Sequence, residues 1–102
     1  MGLGITRIGD VTEGNCTADS HNQQSGVVIS GSPNVFSNGL QTGRVTSVVK
    51  ADCGEESTII SGSNIVWTNG LNTSRVTSVV GESGVDDYTG HVIGGSPTVL
   101  IG

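Results

Sequence analysis

The sequence has little of what builds a large apolar core or a charged binding face. Three aromatic residues, one each of Phe, Trp and Tyr, are spread over 102 positions, with only two Ala and four Leu. So little Ala and Leu disfavours helix, and so few aromatics leave any core thin. Lys and Arg number four against nine Asp and Glu, a formal net charge of −5. Nucleic acid is therefore not an expected partner, because phosphate recognition rests on clustered basic side chains. No apolar run approaches the length of a membrane span, and no basic start leads into an apolar stretch as in a signal peptide. Two Cys are too few to declare a secreted disulfide scaffold. Catalytic signatures are missing too. There is no G-x-S-x-G elbow and no glycine-rich phosphate loop, and the adjacent Asp86 and Asp87 read as a solvated acidic turn. No enzyme is expected.

Fourteen Val, eight Ile and eleven Thr favour strands, and seventeen Gly with thirteen Ser punctuate them at short intervals. The punctuation repeats. Ile29 to Val49 reads ISGSPNVFSNGLQTGRVTSVV and Ile60 to Val80 reads ISGSNIVWTNGLNTSRVTSVV, identical at 15 of 21 positions. A third copy, IGGSPTVLIG, runs from Ile93 to Gly102, and its continuation is Thr6-Arg7-Ile8-Gly9 near the other terminus. This predicts one domain over residues 1–102 with repeats at about 27–49, 58–80 and 91–102 completed by 1–10.

Asn38-Gly39 and Asn69-Gly70 are the strongest hairpin signals. From bend glycine to repeat arginine the spacing is 13 residues in both complete copies, Gly31 to Arg44 and Gly62 to Arg75. The linkers instead vary: 24 residues from Arg7 to Gly31, 18 from Arg44 to Gly62 and 20 from Arg75 to Gly95. Constant hairpins with variable linkers predict that the hairpins set the symmetry and the linkers gather at one end. Arg44 to Val49 is expected to be a continuous returning strand, and Val11 to Gly26 a polar loop. Three such units close around a pseudo-threefold axis, an all-β arrangement.

The repeats resemble the PAAR-repeat family, proteins that cap the central spike of contractile injection machines. The resemblance spans the chain and rests on VVISGSPNVFSNG (Val27 to Gly39), STIISGSNIVWTNG (Ser57 to Gly70), HVIGGSPTVLIG (His91 to Gly102) and TRIGD (Thr6 to Asp10). The Pro-Ala-Ala-Arg tetrad is reduced to its arginine at Arg44 and Arg75, and Gly-Asp after the arginine strand survives only at Gly9-Asp10. This divergence, without an extension domain, points toward a bacteriophage tail tip. The resemblance implies a small β-cone whose triangular base sits on the blunt end of a trimeric β-helical spike, one copy per trimer and monomeric alone. The target cell envelope would be met on penetration. The place implied is the central spike tip of a tail baseplate, made in the bacterial cytoplasm and acting outside the cell. It also implies a metal near the pointed vertex, held by His and Cys from different linkers.

Cys and His occur only in the linkers and at their edges: Cys16, His21, Cys53 and His91. Two Cys and two His are a complete tetrahedral set for zinc, with iron as an alternative metal. Such a staple suits a vertex with almost no apolar core. One alternative is a Cys16–Cys53 disulfide; separately, either His, His21 above all, is an ordinary loop residue, and Asp10, Asp19 and Asp52 are either oxygen ligands or turn caps. Phe36, Trp67 and Leu100 hold one place in the three repeats, and Val35, Val66 and Val99 hold the place before it. One set is expected to fill the core and the other to line a base that docks on the spike, unless all six are core. Two other classes compete with this reading: a threefold-repeat lectin-like adhesin and, behind it, a metal-dependent cell-wall hydrolase. A saturated four-ligand site argues against the hydrolase, which needs an open metal position.

Overall fold

Val, Ile and Thr runs broken every few residues by Gly, Asn or Ser can make only short strands, and such strands build the computed structural model. It describes residues 2–16, 24–52, 54–82 and 88–101, and every regular element among them is a β-strand. Strand β1 (Leu3–Gly4) pairs with β12 (Leu100–Ile101), β4 (Phe36–Ser37) with β5 (Leu40–Gln41), and β8 (Trp67–Thr68) with β9 (Leu71–Asn72). The registers correspond: Phe36 faces Gln41, Trp67 faces Asn72 and Leu100 faces Gly4. The split copy is thus joined across the termini. The two continuous hairpins turn through Asn38-Gly39 and Asn69-Gly70, with φ of 54° and 78° in one and 52° and 80° in the other. Positive φ at both central residues is the turn whose twist matches the flanking strands.

A closed ring of backbone hydrogen bonds binds the three units. The Thr6 N–H donates to the Ser74 carbonyl (3.0 Å), Ser74 N–H to the Gly43 carbonyl (3.0 Å), and Gly43 N–H to the Thr6 carbonyl (2.8 Å). These are the residues just before Arg7, Arg75 and Arg44. Bridges from Ile5 to Arg75, Arg7 to Thr42 and Arg44 to Thr73 repeat the same relation one step outward. Only small side chains fit at the ring. Thr6 and Ser74 bond through their hydroxyls at 2.8 Å, and a Cβ on Gly43 would lie 2.9 Å from the Thr6 methyl.

The Gly-Ser bend recurs for a physical reason. Ser32, Ser63 and Ser96 are buried, and each Oγ accepts two backbone N–H groups: Asn34 and Val35, Ile65 and Val66, Thr98 and Val99. The serine satisfies donors that the bend removes from any ladder. A Cβ on Gly31 or Gly62 would approach the carbonyl of Thr42 or Thr73 to 2.8 and 2.6 Å, so the chain crosses there only as glycine.

The linkers are not loops. Val11–Cys16 (β2) with Gln24–Val28 (β3), Val48–Ala51 (β6) with Glu56–Thr58 (β7), and Val79–Val80 (β10) with Tyr88–Val92 (β11) form three antiparallel hairpins. They lie side by side in the order β10-β11-β2-β3-β6-β7, and an Ile59–Val80 bridge brings the last strand back toward the first. The result is a small, nearly closed, barrel-like sheet. The polar stretch from Val11 was expected to be a loop, yet it alternates Thr12 and Cys16 inward with Glu13 and Asn15 outward. Arg44 to Val49 is likewise not one strand. The chain turns at Val45 to Ser47, where the Ser47 N–H returns to the Arg44 carbonyl, and only then enters β6.

Inside the sheet, the core is Val28, Val49, Ile59, Val80, Val92, Ala51, Cys16 and Tyr88. Val28, Ile59 and Val92 are equivalent positions of the three repeats, as are Val49, Val80 and Thr12. The one polar member, Thr12, shares a hydrogen bond of 2.8 Å between its hydroxyl and the Tyr88 phenol. Nearer the ring the filling is hydroxylic: Ser37 bonds Thr42 and Thr68 bonds Thr73, both at 2.7 Å. No buried side-chain polar atom among the described residues lacks a partner.

Two predictions follow from the ring and its turns. Gly43→Val forces two methyl groups against Thr6 and is expected to lower unfolding free energy by about 1–3 kcal/mol, read from a denaturant melt. The turn after each arginine holds Gly9, Thr46 and Thr77 at φ of 92°, 84° and 84°. Threonine is strained there, and both threonines are exposed. Thr46→Gly and Thr77→Gly should each stabilise the protein by about 1 kcal/mol, strain relief outweighing the added unfolded-chain entropy.

Candidate functional site

Of the four expected ligands, Cys16 and His91 are among the described residues, and they stand apart. In the antiparallel pair of β2 and β11, Cys16 stands opposite Tyr88 and His91 opposite Glu13. Three register steps separate the pairs, about 10 Å along a strand. The odd step also changes the face: Cys16 is buried inside the sheet, whereas His91 is exposed on the outer wall. Cys16 is disulfide-bonded, the alternative that the composition had left open, and a sulfur so bonded is not the thiolate a metal binds. His21 and Cys53, with Asp19, lie outside the described residues. Among the described residues no three His, Cys, Asp or Glu side chains come together. With Cys16 in a disulfide and His91 on the outer face, the surroundings of Cys16 suit a covalent staple.

Tyr88 shares this end of the core with Cys16. Its burial pushes the phenol pKa up, a rise that the Thr12 hydrogen bond opposes. The Ser57 hydroxyl donates to its backbone carbonyl, tying β7 to β11 where the sheet closes.

Around the ring the geometry is polar and repeated. Each arginine N–H is capped from three residues on, by Asp10 Oδ2 at Arg7 (2.7 Å), by Ser47 Oγ at Arg44 (3.0 Å) and by Ser78 Oγ at Arg75 (2.9 Å). Asp10 and its serine counterparts thus do one job, and the departures at Ser47 and Ser78 are chemically conservative. Only Asp10 adds charge. It takes the Arg7 guanidinium in two bonds, at 2.9 and 3.1 Å, which raises the Arg7 pKa.

Two of the seams between repeats carry an asparagine latch. Asn69 Oδ1 accepts from Arg44 Nη1 (3.0 Å) and Ser32 Oγ (2.5 Å), while its Nδ2 donates to Asn34 Oδ1 (2.8 Å). Asn38 does the same one repeat earlier. Its Oδ1 accepts from Arg7 Nη1 (3.2 Å) and its Nδ2 donates to Thr98 Oγ1 (3.1 Å). The sequence marks these asparagines only as turn formers, because the arginines they reach lie 31 and 25 residues away in other repeats.

Phe36, Trp67 and Leu100 do not fill the core. They are 56, 59 and 55% exposed at equivalent points of the three hairpins. Their neighbours Ser37 and Thr68 turn inward instead. Val35 is exposed as well, and Val66 and Val99 are only half-buried, so none of the six is core.

No protein-family model and no curated protein matches the chain.

Reduction is the direct check of the staple. Reductant, or Cys16→Ser, should lower unfolding free energy by about 2–4 kcal/mol, whereas a strong chelator should leave the melting temperature unchanged.

Proposed function

We propose that this chain is a structural tip that caps a trimeric β-helical spike of a contractile tail or a related injection machine. The observation that carries the reading is the threefold-related ring with Phe36, Trp67 and Leu100 exposed at its three equivalent points. A monomer with three like apolar contacts around an axis matches a partner that offers one contact three times. The resemblance of the repeats to the PAAR-repeat family supplies the identity of that partner. In this reading the body is a cone, 36 Å in its longest dimension, whose base docks and whose far end leads into the target envelope.

The mechanism is mechanical rather than chemical. Force delivered through the spike reaches three hairpins tied by backbone bonds, so load is shared by the ring. The Cys16 disulfide and the Tyr88 contacts hold the opposite end of the core, doing there what a metal does in the family.

Native mass spectrometry of the chain mixed with the trimeric spike of the same particle tests this. One chain per three spike subunits is expected. Trp67→Ser should weaken the complex by about 2 kcal/mol or more without changing the melt of the free protein. Absence of any complex, or retention on immobilised glycans instead, would sink the reading.

A further inference from the structure

Asn38 and Asn69 are the only asparagines in the chain that precede a glycine. The pairing has a chemistry of its own. The amide nitrogen after an asparagine is a nucleophile one ring closure away from the carboxamide carbon, and glycine brings no side chain to shield it. Both pairs are exposed, and a Cβ built on Gly39 or Gly70 meets nothing within 4 Å. Neither glycine N–H donates a hydrogen bond among the described residues, so in each turn the nucleophile faces water.

The two sites differ in how the carboxamide is held. Ring closure swings it back onto its own chain, so the bonds that hold it against the neighbouring repeat must break first. Asn69 has three: 3.0 Å from Arg44, 2.5 Å from Ser32 and 2.8 Å to Asn34. Asn38 has two, 3.2 Å from Arg7 and 3.1 Å to Thr98, each longer than any at Asn69. Ser96 stands where Ser32 does, but its hydroxyl lies 3.5 Å from the Thr98 hydroxyl and makes no bond to Asn38.

We propose that Asn38-Gly39 is a site of self-modification, at which the folded chain deamidates in preference to Asn69-Gly70. Hydroxide removes the Gly39 amide proton, and the nitrogen attacks Asn38 Cγ to close a five-membered imide. The Cγ–Nδ2 bond breaks, and ammonia leaves with its third hydrogen drawn from water. Water then opens the imide at either carbonyl, giving aspartate or isoaspartate. Asparagine and water become aspartate and ammonia, with no change of oxidation state. The products act on one seam, where the first hairpin meets Arg7 and Thr98 of the split repeat. Aspartate keeps the turn and accepts from Arg7, and the Thr98 hydroxyl reverses to donate to it. Isoaspartate adds a carbon to the main chain of a two-residue turn, which the pairing of Ser37 with Leu40 does not accommodate. None of this depends on the tip reading.

Peptide mapping by mass spectrometry of protein held at mildly alkaline pH tests the site. The flanking residues are nearly alike, Ser-Asn-Gly-Leu and Thr-Asn-Gly-Leu, so the chain unfolded in guanidinium chloride is the control. There both asparagines should gain the one-dalton product at equal rates. In the folded protein Asn38 should convert about 5-fold or more faster than Asn69, as one additional hydrogen bond requires. Folded Asn34→Ala should speed conversion at Asn69 and leave Asn38 unchanged. Equal folded rates, a faster Asn69, or no conversion at Asn38 overturns the inference. The same preference in guanidinium chloride also overturns it, because the cause would then lie in the local sequence. An unchanged Asn69 in folded Asn34→Ala removes the latch as the restraint. Should that variant fail to fold, the wild-type comparison decides.

Discussion

Three backbone hydrogen bonds, Thr6 to Ser74, Ser74 to Gly43 and Gly43 to Thr6, are the constraint on which the rest of this molecule depends. A ring of three has no edge, so each unit satisfies the next without a dedicated cap. It tolerates only small residues at its centre, which is why Thr, Gly and Ser stand there. Because the ring occupies the interior, the hairpins hang outside it and their leading residues Phe36, Trp67 and Leu100 face solvent. The interior near the ring is too narrow for large side chains and is filled by hydroxyls that bond one another in pairs. Apolar packing begins only farther along, where the six-stranded sheet encloses Val28, Ile59, Val92 and their partners.

The backbone repeats more faithfully than the side chains. At the turn after each arginine the geometry is constant while the residue changes from Gly9 to Thr46 and Thr77, and the cap changes from Asp10 to Ser47 and Ser78. Either cap works because both Asp and Ser place an acceptor oxygen within reach of the same N–H. The seams differ in a more consequential way. Two close through a carboxamide that accepts from an arginine of another repeat, and at the position of Asn34 and Thr98 the remaining repeat has Ile65. A nearly symmetric body therefore carries one chemically distinct edge.

The linkers show how readily composition misleads. Val11 to Cys16 contains Thr, Glu, Gly and Asn, a mixture that reads as loop, yet its alternate residues point to opposite faces of a closed wall. Gly14 and Gly90 face each other across β2 and β11, and a Cβ on either would strike the other strand's backbone. Glycine there serves close approach of two strands rather than a turn. The same pleat separates Cys16 from His91. Two residue types that belong together in a metal site were placed on opposite faces by an odd number of register steps.

Much of the architecture was legible from the chain alone. The number of units, the joining of the split copy, the Asn-Gly hairpins and the all-β character follow from residues whose demands are local. Asn-Gly requires a particular turn, and Gly-Ser a bend capped from within. Tertiary structure alone decided which side of each strand faced inward, that the linkers became wall, that Cys16 joined a disulfide, and that Asn38 and Asn69 reached across seams to arginines. These outcomes depend on register between segments far apart in sequence, and a shift of one residue would have inverted every one of them. Local chemistry is written in adjacent residues; facing is settled only when the strands pair.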